Sequence, residues 1–469
     1  MYISVKRTPP ALPRTDVTAA MVEVAAGIGY AQLPAEVVAS VKRSLLDTLA
    51  VAWAARDAAG VPAARALALR GGPGHASLWT HRATRREPAI AAFFNGTLAA
   101  ALDFDSLCGQ IHADATVVPA ALAMAEQQRR SGRELITALA LGTELAIRLA
   151  AAGTTRKGWF PTSIAGVFGA ALAAARLIDL DPRRTHNALG IALCQAGGTH
   201  QSHLEHSLTA RLQAAFAARD GVTSAELAAL GITGPQAAFE GPYGLFALFE
   251  QGAAEVALAG FGTDFHLTAT TLRRFPACAS SQAALQAATD IVTTHALTAD
   301  AVARGEIVLS AEMARLVGGP FAPTAGAKGV NQTPPQLAAQ FNVRYGVATI
   351  LLRGGFELGD LAPAAVLDPR VANVVERLSV RVDETRSGPL APADVALETH
   401  DGRRFHARVE SLPGSADAPL PEAERYAKLI DGFSSGSAAL PERRIEALIQ
   451  RIERLEGVDD LSTLFEQLH

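Results

Sequence analysis

Apolar positions recur at helical spacing along most of the first 270 residues of the chain. Segments 16–31 and 34–58 predict two helices, with Thr15 and Pro34 marking their starts. Residues 88–102, PAIAAFFNGTLAAAL, are small and apolar and predict a buried helix. Helices are also expected over 117–130, 163–179, 184–196, 208–219 and 223–230. Ser131 and Glu134 have capping-box spacing, and the helix after them should run to about Ala152. One polar stretch interrupts this texture, from Asp103-Phe104-Asp105-Ser106 to Ile111-His112-Ala113-Asp114.

After about residue 270 the pattern changes. Segments 279–295 and 334–354 read as helices, and Glu306–Ser310 and Leu378–Val382 as strands. Val395–His400 and Arg403–Val409 flank Asp401-Gly402, which predicts a hairpin with a type I′ turn. Helices return at 421–434, 442–455 and 459–468, with apolar stripes that need a partner. The fold class expected is mainly α with a smaller α+β domain. Residues 1–270 would form the first part of an all-helical domain and 271–414 the α+β insert. Residues 415–469 would pack back on the helices.

Composition narrows the picture. The hydrophobic fraction is 49 % against 19 % charged, which excludes a disordered chain. The net charge of −4, without a dense Lys/Arg run, argues against a nucleic-acid partner. The longest apolar run, about Ile164 to Ala175, is too short for a membrane span, and the first residues lack a signal-peptide core. Three cysteines in 469 residues fit a reducing compartment, so a cytoplasmic location is expected. No dinucleotide fingerprint or phosphate loop is found, so no cofactor is expected.

The stretch DFDSLCGQIHADATVVPAALAMAE, residues 103–126, resembles the signature of the MmgE/PrpD family. Gly142, Glu144 and Arg148, Pro161-Thr162-Ser163, Ala196-Gly197-Gly198 and GITGPQAAFEGPYG (231–244) match in order. So do Arg273-Arg274-Phe275-Pro276 and Ala339-Gln340-Phe341. The resemblance implies a homodimer with a site between a helical and a smaller α/β domain. It also implies a cofactor-free lyase or isomerase that dehydrates, decarboxylates or epimerises a small carboxylate through a carbanion-like species.

Carried over by position, Asp103 and His112 are the retained proton-handling pair. Arg273 keeps the charge of a family lysine, and Arg211 keeps half of a lysine–arginine pair whose lysine is Ala210 here. Phe160 and Gln282 stand where the family has histidine, at substrate-contacting positions. His200, His203 and His206 recur every third residue. On a helix they would share about one face, with His206 as a further acid/base group and His203 as a substrate contact. Their spacing lacks the H-E-x-x-H pattern, and no metal is expected. Lys328, in Gly326-Ala327-Lys328-Gly329, is a further candidate for the substrate. The replacements at Phe160, Ala210 and Gln282 leave two alternatives open. One is a divergent enzyme with a less anionic substrate; the other is a non-catalytic binding protein on the same scaffold.

Overall fold

The computed structural model describes residues 16–81, 83–156, 158–323 and 334–465. Lys328 lies outside the described residues. Helices dominate. The elements that position the site are α1 (Ala35–Ala54), α2 (Pro88–Ala100), α3 (Asp114–Gln127), α4 (Gly132–Ala151), α5 (Pro161–Leu177) and α6 (Gln213–Ala229). α5 is buried along nearly its whole length and packs on α3, α4 and α6. Small residues let the backbones meet. A Cβ on Gly142 of α4 would lie 2.6 Å from the Gly169 carbonyl oxygen of α5, and one on Gly169 would lie 2.4 Å from that of Gly142. The capping box at Ser131 and Glu134 is formed in full.

After residue 270 come α7 (Gln282–His295), α8 (Val343–Arg353) and a four-stranded sheet. Its strands are β1 (Val302–Leu309), β2 (Leu378–Val382), β3 (Ala393–Thr399) and β4 (Arg404–Val409), in the order β2-β1-β3-β4. β1 and β2 are parallel, pairing Ile307 with Val380, and the other two pairings are antiparallel. The sheet packs on α7, which in turn meets α8. Helices α9 (Glu422–Ser434) and α10 (Glu442–Glu453) close on α1. There Gly432 abuts Ala50, and the Trp53 indole N–H donates to the Ala438 carbonyl at 3.0 Å.

Several local expectations need correction. The Asp401-Gly402 hairpin forms, but its turn is not type I′. Gly402 alone there has positive φ, and Asp401 instead accepts a hydrogen bond from the Arg403 amide. Segments 208–219 and 223–230 form a 3-10 turn (Leu208–Leu212) and one continuous helix, α6. The expected helix 334–354 breaks at Phe341–Asn342, where the Asn342 side chain caps α8. The third tail helix is a 3-10 turn, Leu461–Thr463, as far as the described residues run. Among the described residues, no helix is long and apolar enough to cross a membrane.

Candidate active site

The polar stretch at 103–112 sits between α2 and α3. Asp103 follows the end of α2 with φ of +47°, a left-handed conformation that aspartate tolerates better than most residues. Leu107 then exchanges two backbone hydrogen bonds with Thr271, at 3.0 and 2.7 Å. This pairing sets Arg273, two residues further on, against the loop. Arg273 is fully buried, and every arm of its guanidinium has a partner. Nε donates to the Asp105 carbonyl at 2.6 Å, and Nη1 to Asp103 Oδ1 at 2.6 Å and the Ala277 carbonyl at 3.3 Å. Nη2 donates to Asp105 Oδ1. The other oxygen of Asp105 lies 3.1 Å from His112 Nδ1. An ionised carboxylate cannot donate, so the Asp105 contact calls for a proton on Nδ1, although Arg273 Nη2, itself a donor, lies 3.4 Å from the same nitrogen. Burial pushes the Asp105 carboxyl up, but His112 and Arg273 outweigh it and hold it below the usual carboxylate range. Burial likewise opposes the charge of Arg273, and the two aspartates reverse that.

A second buried pair braces the loop from behind. Lys428 of α9 lies 2.6 Å from Asp47 Oδ1 of α1, donates to the Phe104 carbonyl at 3.1 Å, and sits 4.1 Å from the centre of the Phe104 ring. Burial pushes the Asp47 carboxyl up and the Lys428 ammonium down, and each partner opposes the shift of the other.

A cavity of about 140 Å³ opens beside His112. Asp103, Asp105, His112, Phe160, His203 and Arg211, all singled out by sequence or adjacent to such residues, line it. So do His200, Thr162, Cys278, Gln340 and Phe341. Thr162, at the start of α5, accepts from the His112 amide at 3.1 Å. Phe160 is held by its amide on the Gly198 carbonyl at 3.2 Å. Gln213 ties the histidine segment down, accepting from the Thr199 amide at 2.6 Å and donating to Ser202 Oγ at 2.9 Å. Arg211 donates through Nη1 to the Ala59 carbonyl at 2.6 Å and to Gln336 Oε1 at 3.2 Å, and through Nη2 to Gln340 Oε1 at 2.6 Å. Its Nε has no partner. Burial lowers this guanidinium to about 10, against the attraction of Asp103.

Other expectations change. Arg273 does not line the cavity, and its donors are spent inside the protein, so it serves to position Asp103, Asp105 and His112. Gln282 is also fully buried away from the cavity. It accepts from the Phe275 amide at 3.1 Å and donates to the Phe275 and Ala277 carbonyls, fixing the loop that carries Arg273. The three histidines do not share a helix face, because the helix there is a single turn, Gln201–Leu204. His206 falls beyond it with φ of +48°, outside the cavity lining and 5.7 Å from the Phe341 ring. Cys108 is an unpromising nucleophile, since burial foremost pushes its thiol up to about 12.

Sequence reasoning named Asp103 and passed over Asp105, Lys428, Asp47 and Gln340. The alternation Asp103-Phe104-Asp105 was the available signal for Asp105, since a residue skipped in extended chain returns to the same side. Nothing local marks Lys428, which lies 324 residues from its partner Phe104. Oxygen and nitrogen atoms of Asp103, Asp105 and His112 lie within 4.8 Å of one another, a set able to hold a metal ion. Here the Arg273 guanidinium already pairs with both carboxylates.

Residues 19–256 match the MmgE/PrpD N-terminal domain, and residues 275–454 match the MmgE/PrpD C-terminal domain. The chain belongs to the MmgE/PrpD family. It is 26 % identical over 406 residues to cis-aconitate decarboxylase of Homo sapiens, covering 83 % of this chain and 81 % of that protein. It is 25 % identical over 485 residues to a cis-aconitate decarboxylase-like protein of Aspergillus oryzae, covering 96 % and 97 %. Cis-aconitate decarboxylase of Mus musculus is 25 % identical over 411 residues, covering 83 % and 80 %. With this family and these relatives, the chain is an enzyme of the lyase type.

Proposed function

We propose that the chain is a cofactor-free lyase that acts on a small carboxylate by general acid–base catalysis, in the cavity between its helical body and the residues after 275. The observation that carries this reading is His112 at the cavity wall, with Nδ1 held by Asp105 and Asp105 held by buried Arg273. A carboxylate that fixes one imidazole nitrogen holds the ring and its tautomer and leaves the other nitrogen to exchange protons. Nε2 would then remove a proton from carbon, or return one to the carbanion left when a bond to carbon breaks. Arg211 would hold the substrate carboxylate and the negative charge that develops on it. The same proton transfers would serve an epimerisation, and product analysis separates the two.

The test is proton NMR of the purified protein in D₂O with cis-aconitate, citrate, 2-methylcitrate and iminodisuccinate. Product formation or deuterium uptake at carbon, on one of these acids or on a carboxylate with fewer anionic groups, should vanish in His112→Asn. Activity that survives His112→Asn unchanged sinks the assignment. Silence on all four, together with saturable binding of one, would favour a binding protein on this scaffold.

A further inference from the structure

The cavity is built unevenly. Away from His112 its walls are hydrocarbon and aromatic, from Phe160, Leu316, Leu337, Phe341 and Leu390. The ring of Phe160 lies 4.6 Å from His203 and 5.5 Å from His200, and His203 lies 6.3 Å from Phe341. Burial foremost, and then His200, lowers His203 to about 4, so its ring is neutral near pH 7 and adds no cation to this wall. Among the described lining residues, Arg211 is the one permanently charged cation, and Asp103 and Asp105 supply two carboxylates.

The state of Arg211 sets how many anionic groups fit. Nη1 gives both of its hydrogens to Ala59 and Gln336, and Nη2 gives one to Gln340. The Nε hydrogen and the second Nη2 hydrogen remain. An Nε–Nη2 edge of a guanidinium can grip one carboxylate through two parallel bonds. A second or third carboxylate in this cavity would find no second permanent cation, only neutral donors such as Thr162 and Ser280, with Asp103, Asp105 and hydrocarbon over the rest of the wall. A desolvated anion without a cation or donor is strongly disfavoured.

We infer that the substrate carries one anchoring carboxylate, held by the Nε–Nη2 edge of Arg211, and an apolar arm, alkyl or aryl, laid against Phe160, Phe341 and Leu390. This deepens the lyase reading and rests on it only in taking the same cavity as the site. It sets the enzyme apart from a catalyst that must hold three carboxylates at once.

Isothermal titration calorimetry of the full chain near neutral pH tests the inference without needing turnover. The probes are hexanoate, 3-phenylpropanoate and the saturated tricarboxylate tricarballylate. Both monocarboxylates should bind about tenfold or more tightly than tricarballylate. Phe160→Leu and Phe160→Ala should weaken 3-phenylpropanoate progressively, by about tenfold for alanine. Acetate, which has no arm, should bind the wild type and both variants equally. Tighter or equal binding of tricarballylate overturns the inference. So does failure of all three acids to bind, or an affinity for 3-phenylpropanoate that ignores Phe160 in a folded variant. The outcomes separate from those of the lyase reading. Preference for the monocarboxylates with no proton exchange on any carboxylate keeps the ligand class and removes the lyase. Turnover that requires His112, with tricarballylate preferred, does the reverse.

Discussion

Arg273, fully buried, gives each of its three nitrogens a partner, whereas across the cavity Arg211 Nε and His203 Nδ1 are buried with none. The first side is a closed network in which one guanidinium and a histidine partner two aspartates. The second is a wall of rings and aliphatic side chains with a single guanidinium. A buried charge is tolerated when its partner is fixed. On the proposed reading the first side would set up the proton carrier and the second would choose the substrate.

The difference can be broken most sharply at His112. His112→Asn should lower kcat by about 10²–10⁴-fold with little change in ligand affinity, read by NMR turnover and calorimetry on the same preparation. Next is Arg273→Met, which strands two carboxylates. It should cost about 3–5 kcal/mol in denaturant unfolding, whereas Phe160→Leu on the other wall should stay near wild-type stability. Lys428→Met alone should be destabilising in the same sense by stranding Asp47. The double variant Asp47→Asn/Lys428→Met should recover most of that loss, and full additivity of the two changes would show that the pair does not act as a unit.

A smaller effect lies in the acid range. His203 is held near 4 in the folded state, against 6.5 when free, chiefly by burial. Below 6.5 the unfolded chain therefore takes up the proton first. The stability contributed by the neutral ring is complete above about pH 6.5 and is lost as pH falls toward 4. His203→Gln should flatten that part of the stability–pH curve, and an unchanged slope would place the acid sensitivity elsewhere. Least of all, Cys108→Ser should leave the rate within about twofold, since a thiol pushed up to about 12 supplies almost no thiolate.

What could be read from the chain beforehand follows the range of the interactions. Helices with clear punctuation were legible: Ser131 and Glu134 form their box and the Pro88 segment starts a helix there, while the helix expected from 163 already starts at Pro161. Leu378–Val382 is a strand over the expected residues. The histidine triplet was misread because spacing of three was taken to mean a continuous helix, whereas the helix ends after Leu204 and His206 turns away. Sequence shows a positive charge at Arg273 but not how many of its donors are already spent, and the same holds for the buried amide of Gln282. Lys428 and Asp47 were invisible, since their meeting depends on how α9 returns to α1.

That return has a consequence for how the enzyme comes into being. The carbonyl of Phe104, at the heart of the loop that carries both aspartates, waits for a lysine 324 residues further along. Arg273 cannot complete its bonds until more than half of the chain has been translated, and the brace beneath the loop is missing until α9 has emerged. A ribosome-bound chain stopped before Lys428 would therefore carry every cavity-lining residue and still lack the settled loop. The loop would settle only once α9 has been made, and a premature stop ahead of Lys428 would act as a loss of function far from the cavity.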